Sequence, residues 1–416
     1  GKVSVASFSL ALLNTSNSQF NLSFLEPFSG LFGRSPHICS LLLALNLPPF
    51  LLGPFCNFLS GAVFLYLLGL LLLPRPLGLF DLDWFGLLQL FFPISFIYCL
   101  NYKKTAMDST PLGDFTWKKG ISAAELLEQI GPVGYQASEL KKAADIILDM
   151  KKSGAKIFLS FTSNMASSGL RGLFAQMITK GLVDVIVTTV GSIEEDLMKT
   201  KFSFLLGDFH MDDQELHKKG INRIGNILVP NDRYMFLEDR LLPFFDRLFS
   251  IQKKTGKLIC PSHLIFELGK EIKDKNSIMY WATKNNIPIF CPAITDGALG
   301  LQLFFFKQKH DEFGIDATAD MKKLAAIVLD SEKTGGIMLG GGFAKHHAIG
   351  VNILREGLNY AVYVSTASQY DGSMSGARTS EAISWSKIKE NAGSVFVEGD
   401  ATIIFPLIMS AVKNDI

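Results

Sequence analysis

Six short apolar runs, each ending in a cluster of small or polar residues, constrain this chain more than any other feature. Lys156-Ile-Phe-Leu-Ser-Phe161 runs into Thr162-Ser-Asn-Met-Ala-Ser-Ser-Gly169, and Val183-Asp-Val-Ile-Val187 runs into Thr188-Thr-Val-Gly-Ser192. Ile287-Pro-Ile-Phe290 leads to Thr295-Asp-Gly-Ala298, and Gly336-Ile-Met-Leu339 leads to Gly340-Gly-Gly342. Tyr360-Ala-Val-Tyr-Val364 and Ser394-Val-Phe-Val397 end in Ser365-Thr-Ala367 and Glu398-Gly-Asp-Ala401. Helix-compatible segments separate most of them. Strands that alternate with helices and shed small residues at their carboxyl ends predict an open, mostly parallel α/β sheet, Rossmann-like and doubly wound, with a ligand crevice along those ends.

The first hundred residues have a different character. Pro36 to Pro74 and Trp84 to Tyr102 contain no Asp, Glu, Lys or Arg. Each run exceeds the ~18 residues that permit a membrane-spanning helix. Pro48, Pro49 and Pro54 interrupt the first, and the apolar stretches begin too far into the chain for a signal peptide. Two readings stand: membrane segments followed by Lys103 and Lys104 on the cytoplasmic side, or upstream sequence outside the working protein. The expected division is an apolar extension over residues 1–106 and a catalytic domain over 107–416, where Met107 opens a polar stretch. The extension carries five basic and three acidic residues, a net of +2, which leaves −1 for the remainder of a chain of +1.

That balance offers no basic stripe for nucleic acid. The five cysteines (39, 56, 99, 260 and 291) lack paired spacing, so neither a zinc site nor a disulfide framework is expected. Ser122 to Met150 carries apolar residues at helical spacing, opened by a capping box of Ser122 and Glu125.

Several stretches carry candidate chemistry. Gly340-Gly-Gly342 would let backbone approach a pyrophosphate, or would make only a tight turn; the G-x-G-x-x-G fingerprint is absent. Glu194-Glu-Asp196 reads as a charge cluster at a helix start or as a cation site. Lys345-His-His347 offers a base or an orienting imidazole. After the polar loop Asp371-Gly-Ser-Met-Ser-Gly-Ala-Arg378, helical spacing places Glu381, Ser384 and Trp385 together, with Lys387 a turn and a half beyond Glu381. A desolvated lysine beside an aromatic ring and a carboxylate can act as a nucleophile; a surface lysine at a helix end is the plainer reading. Trp385 is either core or a cation–π platform.

Taken jointly, Thr162–Gly169, Thr188–Asp196, Lys219-Gly-Ile-Asn-Arg-Ile-Gly-Asn226, Pro292-Ala-Ile-Thr-Asp-Gly297, Gly340–His347 and Asp371–Lys387 resemble deoxyhypusine synthase, over essentially Asp114 to Val412. The Gly372-Ser-Met-Ser375 form resembles archaeal members. The resemblance implies NAD-dependent oxidation of spermidine, transfer of its aminobutyl group to Lys387 as an imine, and delivery to a lysine of the precursor of the hypusinated translation factor. It implies that NAD touches Ser163, Asn164, Met165, Ala166, Ser167, Thr189, Val190, Gly191, Glu195, Asp296, Gly341, Thr366, Ala367, Asp400 and Ala401. The polyamine would lie against Glu194, Glu195, His346, Asp371, Gly372, Ser373, Ser375, Gly376, Ala377, Arg378, Glu381, Trp385 and Lys387, with His346 relaying a proton. A cytoplasmic homotetramer without a metal is the implied state. Eukaryotic members have acids where Leu301 and Met374 stand here. Two alternatives follow: a homospermidine synthase-like enzyme that uses a free diamine as acceptor, and a non-catalytic NAD-binding regulatory subunit.

Overall fold

The computed structural model describes residues 111–412. The apolar extension, with both readings of it, lies outside the described residues. Among those described, no helix is long and apolar enough to cross a membrane.

The capping box forms as expected: the Ser122 hydroxyl accepts the Glu125 N–H, and the Glu125 carboxylate accepts the Ser122 N–H at 2.9 Å. The helical stretch it opens is two helices, α1 (Ala123–Ile130) and α2 (Gln136–Lys152). Gly131 and Pro132 separate them, because proline has no N–H to continue the ladder and its ring crowds the preceding turn.

All six anticipated strands form. In chain order, β1 (Lys156–Phe161), α3 (Ser163–Ser167), α4 (Arg171–Thr179), β2 (Val185–Thr188) and α5 (Val190–Met198) come first. A lobe follows: β3 (Leu205–Leu206), α6 (Asp213–Lys218), β4 (Ile221–Ile224), β5 (Ile227–Pro230) and α7 (Asp232–Thr255). Then come α8 (Pro261–Gly269), α9 (Ile278–Lys284), β6 (Ile289–Phe290), α10 (Gly297–Lys309), α11 (Ala317–Leu329) and β7 (Thr334–Leu339). The last elements are α12 (Gly342–Gly350), β8 (Leu358–Ser365), α13 (Thr379–Ser384), β9 (Ile388–Glu398) and α14 (Ala401–Val412).

The main sheet is six-stranded and parallel, in the order β6-β2-β1-β7-β8-β9. Its strands are buried on both faces, which explains why they read as nearly continuous apolar runs. Ile157, Leu159, Phe161, Ile337, Leu339, Val362 and Val364 face one core, while Phe158, Val185, Val187, Met338, Ala361 and Tyr363 face the other. Helices flank the sheet. The strand order reverses between β1 and β7, and open α/β sheets hold ligands beyond the carboxyl ends of the strands at such a reversal.

The small antiparallel sheet β3-β5-β4 was not anticipated. Its β4–β5 hairpin turns at Gly225-Asn226, with Gly225 at φ 62°. That glycine belongs to the Lys219–Asn226 stretch, but the flanking Ile221–Ile224 alternates too briefly to announce a strand.

Candidate functional site

At the ends of β1 and β2, the Ser163 N–H donates to Thr189 Oγ1 at 3.0 Å. A Cβ on Gly191 would stand 2.8 Å from Ser163 Cβ, so glycine lets α5 start against α3. Behind this contact the Ser167 hydroxyl donates to Glu195 Oε2 at 2.5 Å. Burial pushes the Glu195 carboxyl up to about 7, against the opposing pull of Ser167 and Lys199.

Glu194 is equally buried but turns to α10. Its Oε1 accepts the Leu299 N–H at 2.6 Å, and burial, reinforced by the nearby Asp296 charge, brings its carboxyl to about 7. Asp196 takes a third direction: it pairs with Arg171 Nε at 2.8 Å and accepts from Ser277 Oγ at 2.7 Å and the Met279 N–H at 2.9 Å. The expected charge cluster at a helix start is therefore corrected. The three acids lie in the body of α5, whose first turn has none, and buried partners claim each one. A sequence shows adjacency along the chain, whereas 100° per helical residue sends neighbours to separate faces.

The triple glycine is demanded by geometry. Gly340 and Gly342 have φ of 81° and 66°, and a Cβ on Gly341 would come within 2.2 Å of Ser375 Cα. The loop Asp371–Arg378 thus packs directly on the backbone after β7. Arg378 stacks at 3.8 Å over the Phe396 ring and donates to Glu398 at 3.0 Å. In the same loop the Ser373 N–H donates to Asp371 Oδ1 at 2.7 Å, and the Gly376 and Ala377 N–H groups donate to the Ser373 carbonyl.

Lys387 is not on the helix that the spacing suggested. α13 ends at Ser384, and Ser386 takes a left-handed φ of 54°. The Ser386 N–H then bonds the Ile383 carbonyl and the Lys387 N–H bonds the Ala382 carbonyl, the paired C-cap usually built on glycine. This turn sets Lys387 immediately before β9, with only 7% of its surface exposed and its Nζ 5.0 Å from the Trp385 ring centroid. Trp385 itself is 63% exposed, which excludes core packing as its role. The nearby Lys387 charge adds to burial in holding His346 below the ordinary imidazole range. Elements distant in sequence, α12 and the α13–β9 turn, thus meet around one amine.

The remaining expected residues line the same rim. Asn164, Thr366, Asp296 and Asp400 are exposed where β1, β8, β6 and β9 end. Asp400 accepts the Thr402 N–H at 2.8 Å at the start of α14, and the Ala367 N–H bonds Ser365 Oγ at 3.1 Å. Met165, Ala166, Val190 and Ala401 are buried, so their side chains pack into the interior.

One residue of the site was missed and another only half read. Lys199 donates to the carbonyls of Ala166 and Ser167 at 2.7 and 2.6 Å, and burial lowers it to about 8. Lys345 is 1% exposed and reaches the Asp371–Arg378 loop. No local signal separates such lysines from surface ones, since their partners are carbonyls of distant segments.

A family model described as deoxyhypusine synthase matches residues 125–412 of this chain. The chain is 48% identical over 309 residues to a protein of Methanocaldococcus jannaschii named "Probable deoxyhypusine synthase", covering 71% of this chain and 94% of that one. A protein of the same name from Thermococcus kodakarensis is 45% identical over 307 residues, covering 70% and 91%. The "Deoxyhypusine synthase" of Senecio vernalis is 42% identical over 322 residues, covering 71% and 87%. A crystal structure of an Entamoeba histolytica protein assigned to deoxyhypusine synthase superposes with a TM-score of 0.53 at 28% identity, over 72% of this chain and 96% of that one.

Proposed function

Because this chain belongs to the deoxyhypusine synthase family, we propose that the crevice beyond the strand ends is its catalytic centre and that Lys387 carries the transferred group. The activity is deoxyhypusine synthesis, an aminobutyl transfer. The observation that supports Lys387 most is its burial beside the Trp385 ring and close to His346, which sets an amine against an aromatic face and an imidazole.

In this reading the fold is Rossmann-like and doubly wound, residues 107–416 form the working domain, and NAD lies across the β1–β7 reversal. The small residues at the strand ends and the close approach of α3 to α5 at Gly191 suit a dinucleotide. Ser163, Asn164, Ser167, Thr189, Glu195, Asp296, Gly341, Thr366 and Asp400 would hold it, with backbone contributions from Met165, Ala166, Val190, Gly191, Ala367 and Ala401. NAD supplies a hydride acceptor and later a hydride donor. Spermidine would lie between Glu194, Glu381 and the Trp385 face, since a polyamine needs carboxylates for its ammonium groups and an aromatic surface for its methylenes.

Oxidation of the donor beside its secondary nitrogen leaves an imine. The Lys387 amine adds to that carbon, the carbon–nitrogen bond to diaminopropane breaks, and the proton lost by Lys387 passes through His346 to the departing nitrogen. A lysine of the translation-factor precursor then displaces Lys387 in the same way. The family expectation is a homotetramer with sites at subunit interfaces, and exposed Leu301, Phe304, Phe343 and Trp385 offer apolar surface for such contacts.

Borohydride reduction in the presence of NAD and labelled spermidine tests this reading: label should attach to wild-type protein and be lost in Lys387→Arg. Absence of adduct in the wild type overturns it. Adding either the precursor or putrescine identifies the acceptor; label appearing only in the diamine would displace protein modification.

A further inference from the structure

We propose that Lys345 is a positioning residue for polyamine binding: its buried ammonium clamps the Asp371–Arg378 loop in the shape that receives the substrate, and it takes no part in the chemistry. This rests on the reading above of Lys387 and the crevice.

Lys345 lies on α12, the helix that follows β7, whereas the loop it holds follows β8. Its Nζ donates to the Met374 carbonyl at 2.9 Å and to the Ala377 carbonyl at 2.7 Å. The same atom stands 4.2 Å from the centroid of the Tyr363 ring. An ammonium has three donors, and this surround offers three acceptors of positive charge: two carbonyl oxygens and a π face.

A neutral amine fits poorly. With two N–H groups on the carbonyls, its lone pair would be aimed at the negative face of the ring. These contacts suit the cation that the group remains at neutral pH, although burial, opposed by Glu381 and reinforced by Arg378, brings it down to about 8. A base or second nucleophile needs its lone pair free, so Lys345 serves neither role here.

What the clamp holds is specific. Met374 and Ala377 bracket Ser375 and Gly376, and this stretch has little freedom to move inward. A Cβ on Gly376 would fall 1.7 Å from the Ser368 carbonyl oxygen, and Ser375 already touches the Gly341 backbone. Releasing Lys345 leaves outward movement as the available response. That motion would carry off the loop leading into Glu381 and Trp385 while leaving Ser163, Thr189 and Glu195, on the β1 and β2 side, in place.

The decisive comparison is Lys345→Met against wild type, with NAD and spermidine affinities measured separately by calorimetry, alongside hydrogen exchange of the loop amides. The expected result is spermidine affinity at least tenfold weaker, NAD affinity within threefold, and faster exchange at Gly376 and Ala377. Lys345→Gln, which keeps donors for the carbonyls without charge, should recover part of the spermidine affinity and stands in if Lys345→Met does not fold. Unchanged spermidine affinity, or an equal loss for both ligands, overturns the proposal. A wild-type protein that forms no borohydride adduct would instead overturn the Lys387 reading, so the two failures are distinguishable.

Discussion

Ser386 shows how a single strained residue can decide a site. A left-handed serine costs about 1 kcal/mol relative to ordinary backbone, yet its φ of 54° is what sets Lys387 immediately before β9. Ser386→Gly should keep the turn and leave stability in urea unchanged or raised by up to ~1 kcal/mol, whereas Ser386→Val should lower it by more than ~1 kcal/mol and reduce adduct formation at Lys387. Gly341 is the complementary case, a residue that must have no side chain. Gly341→Ala would place a methyl within 2.2 Å of Ser375 Cα, and the backbone must yield. Overpacking of this kind costs ~1–3 kcal/mol, measurable by denaturant unfolding, and should weaken spermidine binding as the loop is displaced.

At the scale of elements, α5 is the hub. Its three consecutive acids tie it to α10, to α3 and to the junction of α4 and α9. Arg171, 8% exposed, is shared between Asp196 and Asp274. Asp196→Ala would strand part of that buried guanidinium and orphan the Ser277 hydroxyl and the Met279 N–H. A loss of ~3–5 kcal/mol in urea unfolding is expected, the cost of breaking a buried pair by removing one partner. A loss under ~1 kcal/mol would mean that Asp274 carries the guanidinium alone. The element boundaries were largely legible: six strands and the α1 capping box follow from runs, small residues and Ser122–Glu125. The β3-β5-β4 sheet was not, because its strands are short and gain their stability from pairing with each other.

For the whole molecule, the buried acids and Lys199 give stability a dependence on pH of defined sign. Glu194 and Glu195 hold protons up to about 7 in the folded protein, against an ordinary value of 4.5. Between those values the folded state binds more protons than the unfolded one, so stability without ligand falls as pH rises from about 4.5 through 7. Lys199 loses its proton at about 8 when folded but at 10.5 when unfolded, so its contribution increases stability as pH rises across that interval. Thermal unfolding monitored across pH checks both limbs. A polyamine bound near Glu194 favours the carboxylate, so binding near neutral pH should release protons. Calorimetry in two buffers of different ionisation enthalpy reads that release; proton uptake would place the cation elsewhere.

The class of fold is legible in the chain alone, because strands buried on both faces and small residues after them are written locally, in runs a few residues long. The resemblance of its ordered motifs to one family pointed to Lys387, His346, Glu381 and Trp385 as candidates. The contacts around these residues are set by the fold. The αL turn at Ser386, the contact of Gly341 with Ser375, the separate fates of Glu194, Glu195 and Asp196, and the clamps made by Lys199 and Lys345 all join backbone atoms far apart in the chain. Carbonyl acceptors are the same at every position, so no residue pattern announces which of them a buried ammonium will find.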